Sequence, residues 1–327
     1  MIKDTHGRII DYVRLAVTDR CNLRCTYCLP EGFTNFLPRK ELLTYEEIIR
    51  MLTVMSDMGI KKLRITGGEP FVRADLMGLI EEIHSRKLFE KLHITTNGVL
   101  TAPHIPRLAE LGISGINISL DTANAEHFKA ITGRDNFSEV METFHAALSH
   151  NIPTRINTVV LSDKNTDDLI PMARMAEKYP IEVRFIEEMP FNGKGEINSN
   201  YWNYERILLH LSQEFDLHPE GFENNGTAMR YRIAGKAGKI GIIPAYSRTF
   251  CGTCNRLRIN PKGEIATCLY SAPEASLFTF LRGNATDVEL REAILSAVSR
   301  KPLNGHQAEE QMLLSNKSHN TMAAIGG

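Results

Sequence analysis

Apolar and polar residues alternate with a period of two in six short stretches. Val13, Leu15 and Val17 alternate with Arg14, Ala16 and Thr18. Leu63 and Ile65 alternate with Lys62, Arg64 and Thr66, and Leu92 and Ile94 with His93 and Thr95. Ile116, Ile118 and Leu120 alternate with Asn117, Ser119 and Asp121. Ile156 sits between Arg155 and Asn157, and Val183 and Phe185 flank Arg184. Successive side chains of a strand point to opposite faces, so the pattern predicts strands over 12–18, 61–66, 91–97, 115–121, 154–161 and 181–189. Each has one apolar face and one polar face. The intervals read as helices. Thr44 and Glu47 form a capping-box pattern, followed by Ile48, Ile49, Leu52 and Met55 on one face. Asn165 and Asp168 can open another helix that runs to about Tyr179.

Six β-α repeats imply parallel strands joined by right-handed crossovers. Strands covered by helices on both faces read as continuous apolar runs, and these do not. A polar lane in every strand instead implies a wide, partly open barrel with a wet lumen. The expected class is α/β, an incomplete (β/α)6 TIM-like barrel. An antiparallel sheet with one solvated face would alternate in the same way, but the intervening helices argue against it. Beyond about residue 200 the pattern changes. A helical stretch (201–215) is followed by strand-like pieces at 229–233, 238–244, 255–260 and 263–269, then helices at 274–282 and 286–299. Residues 1–200 are therefore read as the partial barrel and 201–327 as an α+β extension.

Charge narrows the functions. Lys+Arg number 38 against 39 Asp+Glu, so no global basic field exists to hold nucleic acid. No apolar run approaches the roughly 18 residues of a membrane span. The first residues, MIKDTHGRII, contain no apolar stretch of the kind a secretory signal carries, so the expected location is the cytoplasm. Thiols stay reduced there. The six cysteines fall in two triplets, Cys21, Cys25 and Cys28, and Cys251, Cys254 and Cys268. A structural zinc site wants four ligands, and each triplet offers three. Iron–sulfur ligation fits better, with three thiolates per cubane leaving one iron open to a small molecule. The cations are also grouped. Arg14, Lys62, Arg64, Arg155 and Arg184 lie on predicted strands, most on the polar face, and Arg256 and Arg258 are two apart on another. A cationic lumen in a nearly neutral protein implies an anionic ligand, and arginine forks suit the oxygens of a triphosphate. No Walker A loop is present, so this is not a P-loop site.

The stretch CNLRCTYC has the C-x3-C-x-aromatic-C spacing of radical S-adenosylmethionine enzymes, and ITGGEPFVR contains their GGEP run. With DYVRLAVTDRCNLRC, the second triplet around Asn255-Arg256-Leu257-Arg258, and the final Gly326-Gly327, the whole chain resembles the GTP 3′,8-cyclases. The resemblance implies two [4Fe-4S] clusters, held by Cys21, Cys25 and Cys28 and by Cys251, Cys254 and Cys268. It implies that S-adenosylmethionine chelates the open iron of the first, with Tyr27, Gly68, Ser119 and Met189 contacting it. A 5′-deoxyadenosyl radical would then take hydrogen from C3′ of GTP, and C3′ would bond to C8 of guanine, the base sitting at the second open iron. The nucleotide contacts implied are Arg14, Arg64, Thr95, Arg256, Leu257 and Arg258, joined by the lumen cations Lys62, Arg155 and Arg184. Arg155 stands where the family has a lysine, and the two cations are not geometrically equivalent. The double-glycine tail, Gly326 and Gly327, is implied to enter the active site and serve activity. A flavodoxin- or ferredoxin-like reductant, a homodimer, and transfer of the product to cyclic pyranopterin monophosphate synthase are also implied. The competing reading is a peptide-modifying radical S-adenosylmethionine enzyme with an auxiliary cluster, which the three-and-three cysteines and the arginine-rich lumen argue against.

Overall fold

The computed structural model describes residues 1–29, 32–189, 200–223 and 225–314. In chain order the strands are β1 (Ile2–Lys3), β2 (Ile9–Ile10), β3 (Tyr12–Ala16), β4 (Lys62–Thr66), β5 (Lys91–Thr96), β6 (Gly115–Ser119), β7 (Thr154–Val160), β8 (Glu182–Glu187), β9 (Leu217–Phe222), β10 (Met229–Ile233), β11 (Lys239–Ile243), β12 (Arg256–Ile259), β13 (Glu264–Ala266) and β14 (Ala275–Ser276). The helices are α1 (Tyr45–Asp57), α2 (Leu76–Ser85), α3 (Ile105–Glu110), α4 (Ala125–Thr132), α5 (Phe137–Ser149), α6 (Leu169–Lys178), α7 (Tyr204–Ser212), α8 (Phe278–Arg282), α9 (Asp287–Ser299) and α10 (Gly305–Leu314). Each of the six period-two stretches forms a strand, shorter by one to three residues than the pattern predicts. Two compact units result, Met1–Asn22 with Gly32–Thr95 and Cys251–Gly327, and Leu23–Glu31 with Thr96–Phe250.

In the first unit the strand order is β14-β13-β12-β3-β4-β5, and β12, β3, β4 and β5 run parallel. Val13, Leu15, Leu63, Ile65 and Ile94 are wholly buried, roughly 1.5–3 kcal/mol for each side chain. The capping box forms as expected. Thr44 Oγ1 accepts from the Glu47 N–H at 3.2 Å, and the Glu47 carboxylate accepts from the Thr44 N–H at 2.7 Å. Helix α1 then buries Ile48, Met51, Leu52 and Met55. It packs on α2, α8 and α9. Two arginines pin the C-terminal helices there. Arg50 reaches Asp287 at 2.9 Å and the Ala285 carbonyl at 2.5 Å, and Arg282 reaches Glu47 at 2.7 Å and the Leu42 carbonyl at 2.8 Å.

In the second unit the order is β6-β7-β8-β11-β10-β9, and β6, β7, β8 and β11 run parallel. Ile118, Ile156, Val183 and Phe185 are wholly buried, as are Phe144 of α5 and Met172, Ala173 and Ala176 of α6, with α5 packed on β7 and α6 on β8. Gly133 closes α4 in the left-handed conformation, φ +67°, which a side chain adopts at a cost. The strand-like pieces beyond residue 200 thus add to parallel strands, β11 beside β8 and β12 beside β3. The pairing of β1 with β2, and strands β9 and β14, carry no period-two signal strong enough to have been anticipated.

Candidate functional site

The loop after β3 carries the first triplet. Its opening turn is held by the GGEP run. The Gly68 N–H donates to the Thr18 carbonyl at 2.7 Å and the Glu69 N–H to the Arg20 carbonyl at 2.8 Å. A Cβ on Gly68 would run into the Arg20 backbone, so glycine is demanded there by close approach of two main chains. The second half of the loop is held in the other unit. The Arg24 N–H donates to the Thr132 carbonyl at 2.8 Å and the Thr26 N–H to Ile131 at 3.1 Å. The N–H groups of Cys28 and Leu29 both donate to the Cys25 carbonyl, at 3.0 and 3.2 Å.

Tyr27 donates its hydroxyl to Asp121 at 2.8 Å, two residues past Ser119 at the C-terminal end of β6. The other Asp121 oxygen accepts from the Val159 N–H at 2.8 Å. Burial pushes the Asp121 pKa up to about 6, against the pull of these two donors. Burial and the Asp121 charge push the Tyr27 phenol upward. An acid raised in the folded state adds stability at low pH, and that stability is lost as pH rises from the ordinary carboxylate range through about 6. Tyr27→Phe is expected to cost about 1–2 kcal/mol at pH 8, where the hydroxyl serves a charged carboxylate, and less at pH 5. Urea unfolding at the two pH values measures this; equal costs would contradict it. Met189 packs with Ile186 and Phe250 against Ala228, Ile243 and Ala245.

The first unit gathers cations. Strand register puts Arg258, Arg14, Arg64 and His93 side by side across four parallel strands. Two residues away on the same face, Arg256, Tyr12, Lys62 and Lys91 form a second row. Arg64 Nη1 donates to Thr95 Oγ1 at 3.0 Å. Arg64, Arg256 and Arg258 are all buried. Burial, together with the neighbouring charges of Arg14 and Arg256, lowers the Arg258 pKa to about 9. Leu257 points the other way, into the core.

Arg155 and Arg184 lie in the second unit, where both meet Glu182. Arg155 Nε donates to it at 3.0 Å, Arg184 Nε at 2.9 Å and Arg230 Nη2 at 3.2 Å. Burial works against the Glu182 charge, yet the three guanidiniums hold its pKa down at about 2. Nothing in the sequence pattern distinguished Glu182, because its partners are assembled by register and not by spacing.

The second triplet flanks a hairpin. Cys251 and Cys254 precede β12, and Cys268 follows β13. The hairpin pairs Arg258 with Ala266, two residues before Cys268. Buried Lys301 lies behind it. Its ammonium donates to Cys254 Sγ at 3.6 Å, to the Arg256 carbonyl at 2.9 Å and to the Thr267 carbonyl. Burial pushes the Cys254 thiol up, but the charges of Lys301 and Arg256 bring it down to about 7. Arg8 donates to the Cys251 carbonyl at 3.2 Å, and to the Pro302 and Leu303 carbonyls at 2.7 and 2.8 Å. Lys301 and Arg8 were not legible as site residues in the sequence.

All six cysteines are half-buried and none is in a disulfide. Two sets of three thiols, one set beside buried cations, fit a sulfur-ligated cluster, because the thiolate is the ligand and positive charge favours it. Among the described residues no three His, Cys, Asp or Glu side chains converge on one point that could hold a single ion. Thiolates that bind different irons of one cluster have no need to converge in that way. Gly326 and Gly327 lie outside the described residues, and no helix among those described is long and apolar enough to cross a membrane.

Comparison with known proteins identifies the relatives of this chain. Residues 15–176 match the Radical SAM superfamily and residues 181–307 match Molybdenum Cofactor Synthesis C. The chain is 39% identical over 303 residues to the GTP 3′,8-cyclase of Clostridium perfringens, covering 92% of this chain and 93% of that one. It is 38% identical over 331 residues to the GTP 3′,8-cyclase of Desulforamulus reducens, covering 99% of each. It is 39% identical over 311 residues to human molybdenum cofactor biosynthesis protein 1, spanning 92% of this chain but 48% of the human one. Among solved structures, Streptococcus suis SuiB bound to S-adenosylmethionine superposes with a TM-score of 0.61 at 15% identity, covering 91% of this chain and 68% of that one. That likeness shows the fold, the α/β class with the incomplete barrel expected from the alternating strands.

Proposed function

The chain belongs to the family of GTP 3′,8-cyclases within the radical S-adenosylmethionine superfamily, and from that membership we propose how its residues divide the work. The protein is an enzyme that converts GTP to (8S)-3′,8-cyclo-7,8-dihydroguanosine 5′-triphosphate, the first step of molybdenum cofactor biosynthesis. It uses S-adenosylmethionine and iron–sulfur chemistry. When bound, the cluster and S-adenosylmethionine supply a 5′-deoxyadenosyl radical.

In this reading Cys21, Cys25 and Cys28 hold one cluster and Cys251, Cys254 and Cys268 a second. Gly68 offers main chain to S-adenosylmethionine, and Tyr27, Ser119 and Met189 line its place. Arg14, Lys62, Arg64, Thr95, Arg256 and Arg258 receive the triphosphate, with Leu257 fixing the strand that carries the last two. Arg155 and Arg184 act from the carboxylate of Glu182, which sets their direction. Gly326 and Gly327 complete the catalytic set. Burial of Arg64, Arg256 and Arg258 strengthens each phosphate contact, because charges interact more strongly where water is excluded. A flavodoxin- or ferredoxin-like protein supplies electrons, the enzyme acts as a homodimer, and cyclic pyranopterin monophosphate synthase consumes the product.

What carries the reading is the row Arg258, Arg14 and Arg64 on adjacent parallel strands, continuous with the hairpin that bears the second triplet. Strands lie about 4.8 Å apart, so the row spans about 10 Å, the scale of a polyphosphate chain. The test is anaerobic incubation of the reconstituted enzyme with GTP, S-adenosylmethionine and dithionite, with chromatographic identification of both products. Equal amounts of 5′-deoxyadenosine and cyclised nucleotide are expected. 5′-Deoxyadenosine with unaltered GTP would point to a different substrate.

A further inference from the structure

Tyr12 stands in the second row, two residues from Arg14 on the same face of β3. Its hydroxyl oxygen accepts from Arg64 Nε at 2.7 Å and from Arg14 Nε at 3.2 Å. Lys62 Nζ lies 4.6 Å over its ring. Arg256 and Lys62 are its partners in register on either side. A phenol 5% exposed is thus surrounded by cations from three strands.

The geometry of the guanidinium gives this contact a direction. Arginine has five N–H donors in a planar fork, one on Nε and four on the two terminal nitrogens. Tyr12 takes the single Nε donor of both Arg14 and Arg64. Among the described residues Arg14 hydrogen-bonds through Nε alone, which leaves its four terminal donors for a ligand. Arg64 turns Nη1 to Thr95. One oxygen therefore fixes two neighbouring forks by their inner edges.

We propose that Tyr12 is a positioning residue for phosphate recognition: its phenol oxygen holds Arg14 and Arg64 side by side, forks outward, before the nucleotide arrives. The proposal rests on the reading that the triphosphate lies along this arginine row. Like charges packed this closely repel, and a shared acceptor offsets that repulsion. Burial raises the Tyr12 pKa, but the charges of Arg14, Arg64 and Lys62 bring it down to about 6, which makes the oxygen a strong acceptor. Ordering two long side chains in advance spares the nucleotide that entropy on binding.

The test uses the full-length, cluster-reconstituted enzyme carrying Tyr12→Phe, which keeps the ring under Lys62 and removes only the acceptor. The KM for GTP and the inhibition constant of inorganic tripolyphosphate should each rise about tenfold, the loss falling on KM rather than kcat. Iron content and S-adenosylmethionine affinity should match the wild type. Arg258→Ala is measured alongside. If Arg258→Ala weakens GTP and tripolyphosphate while Tyr12→Phe weakens neither, the positioning role is wrong and the phosphate site stands. If neither variant weakens either ligand, the arginine row is not the phosphate site. Loss of iron or of S-adenosylmethionine binding in Tyr12→Phe would make Tyr12 a structural residue and overturn the proposal.

Discussion

Cys25→Ala is expected to abolish reductive cleavage of S-adenosylmethionine, whereas Cys254→Ala should still cleave it without forming the cyclised nucleotide. The two triplets are built by different local structures. Cys25 belongs to a loop closed by its own carbonyl, which accepts from Cys28 and Leu29. Cys254 belongs to the β12–β13 hairpin, backed by Lys301 and continuous with the strand of Arg256 and Arg258. In the proposed division the first triplet serves radical generation and the second serves the nucleotide. Losing one of three thiolates should release the cluster it helps to hold. The assay counts 5′-deoxyadenosine and nucleotide product from the same anaerobic reaction. In Cys25→Ala both should fall to background. In Cys254→Ala the first should persist while the second disappears. Cyclisation at near wild-type rate in Cys254→Ala would end the division of roles.

Arg256→Ala and Arg258→Ala should each weaken GTP binding by about 1.5–3 kcal/mol, roughly ten- to 150-fold, with S-adenosylmethionine binding unchanged. A charge-assisted bond to phosphate is lost in each. The effect on folding should have the opposite sign at Arg258. Its guanidinium is buried beside the charges of Arg14 and Arg256, so in the ligand-free protein its charge opposes folding. Arg258→Met, which keeps the length and removes the charge, should therefore unfold at the same temperature as the wild type or above it. Function and stability pull apart at this residue, as they do where a site holds charge in wait for a ligand. Calorimetric titration with GTP and a thermal scan without it read the two effects. Unchanged GTP affinity in both alanine variants would move the triphosphate elsewhere, and a large fall in melting temperature of Arg258→Met would show that the charge is compensated.

Much of the site was legible because its residues carry local signals. The C-x3-C-x2-C spacing marks Cys21, Cys25 and Cys28 within eight positions, and the glycines of GGEP mark a close approach of main chains. Arg14 and Arg64 were legible as site residues because each breaks an apolar strand at period two. Tyr12 occupies the same face as Arg14, but a tyrosine opening a strand reads equally well as packing. Lys301 and Glu182 carried no signal. Lys301 meets Cys254 across 47 positions, and Glu182 meets Arg155 and Arg230 across 27 and 48. A charge pair so separated leaves no pattern in the chain, since proximity there is made by strand pairing.

By itself the amino-acid order determined the α/β class, the six strands with one polar face each, the two thiol triplets, and the family to which the chain belongs. These follow from short-range periodicity and spacing, which backbone geometry converts directly into faces and turns. Tertiary structure alone decided which charges stand together. It set Arg258, from late in the chain, beside Arg14 and Arg64, and it gave Arg155 and Arg184 a shared carboxylate in Glu182. The reason is physical. Charges interact through distance and burial, and both are fixed by the register of parallel strands, which joins residues that are far apart in the chain.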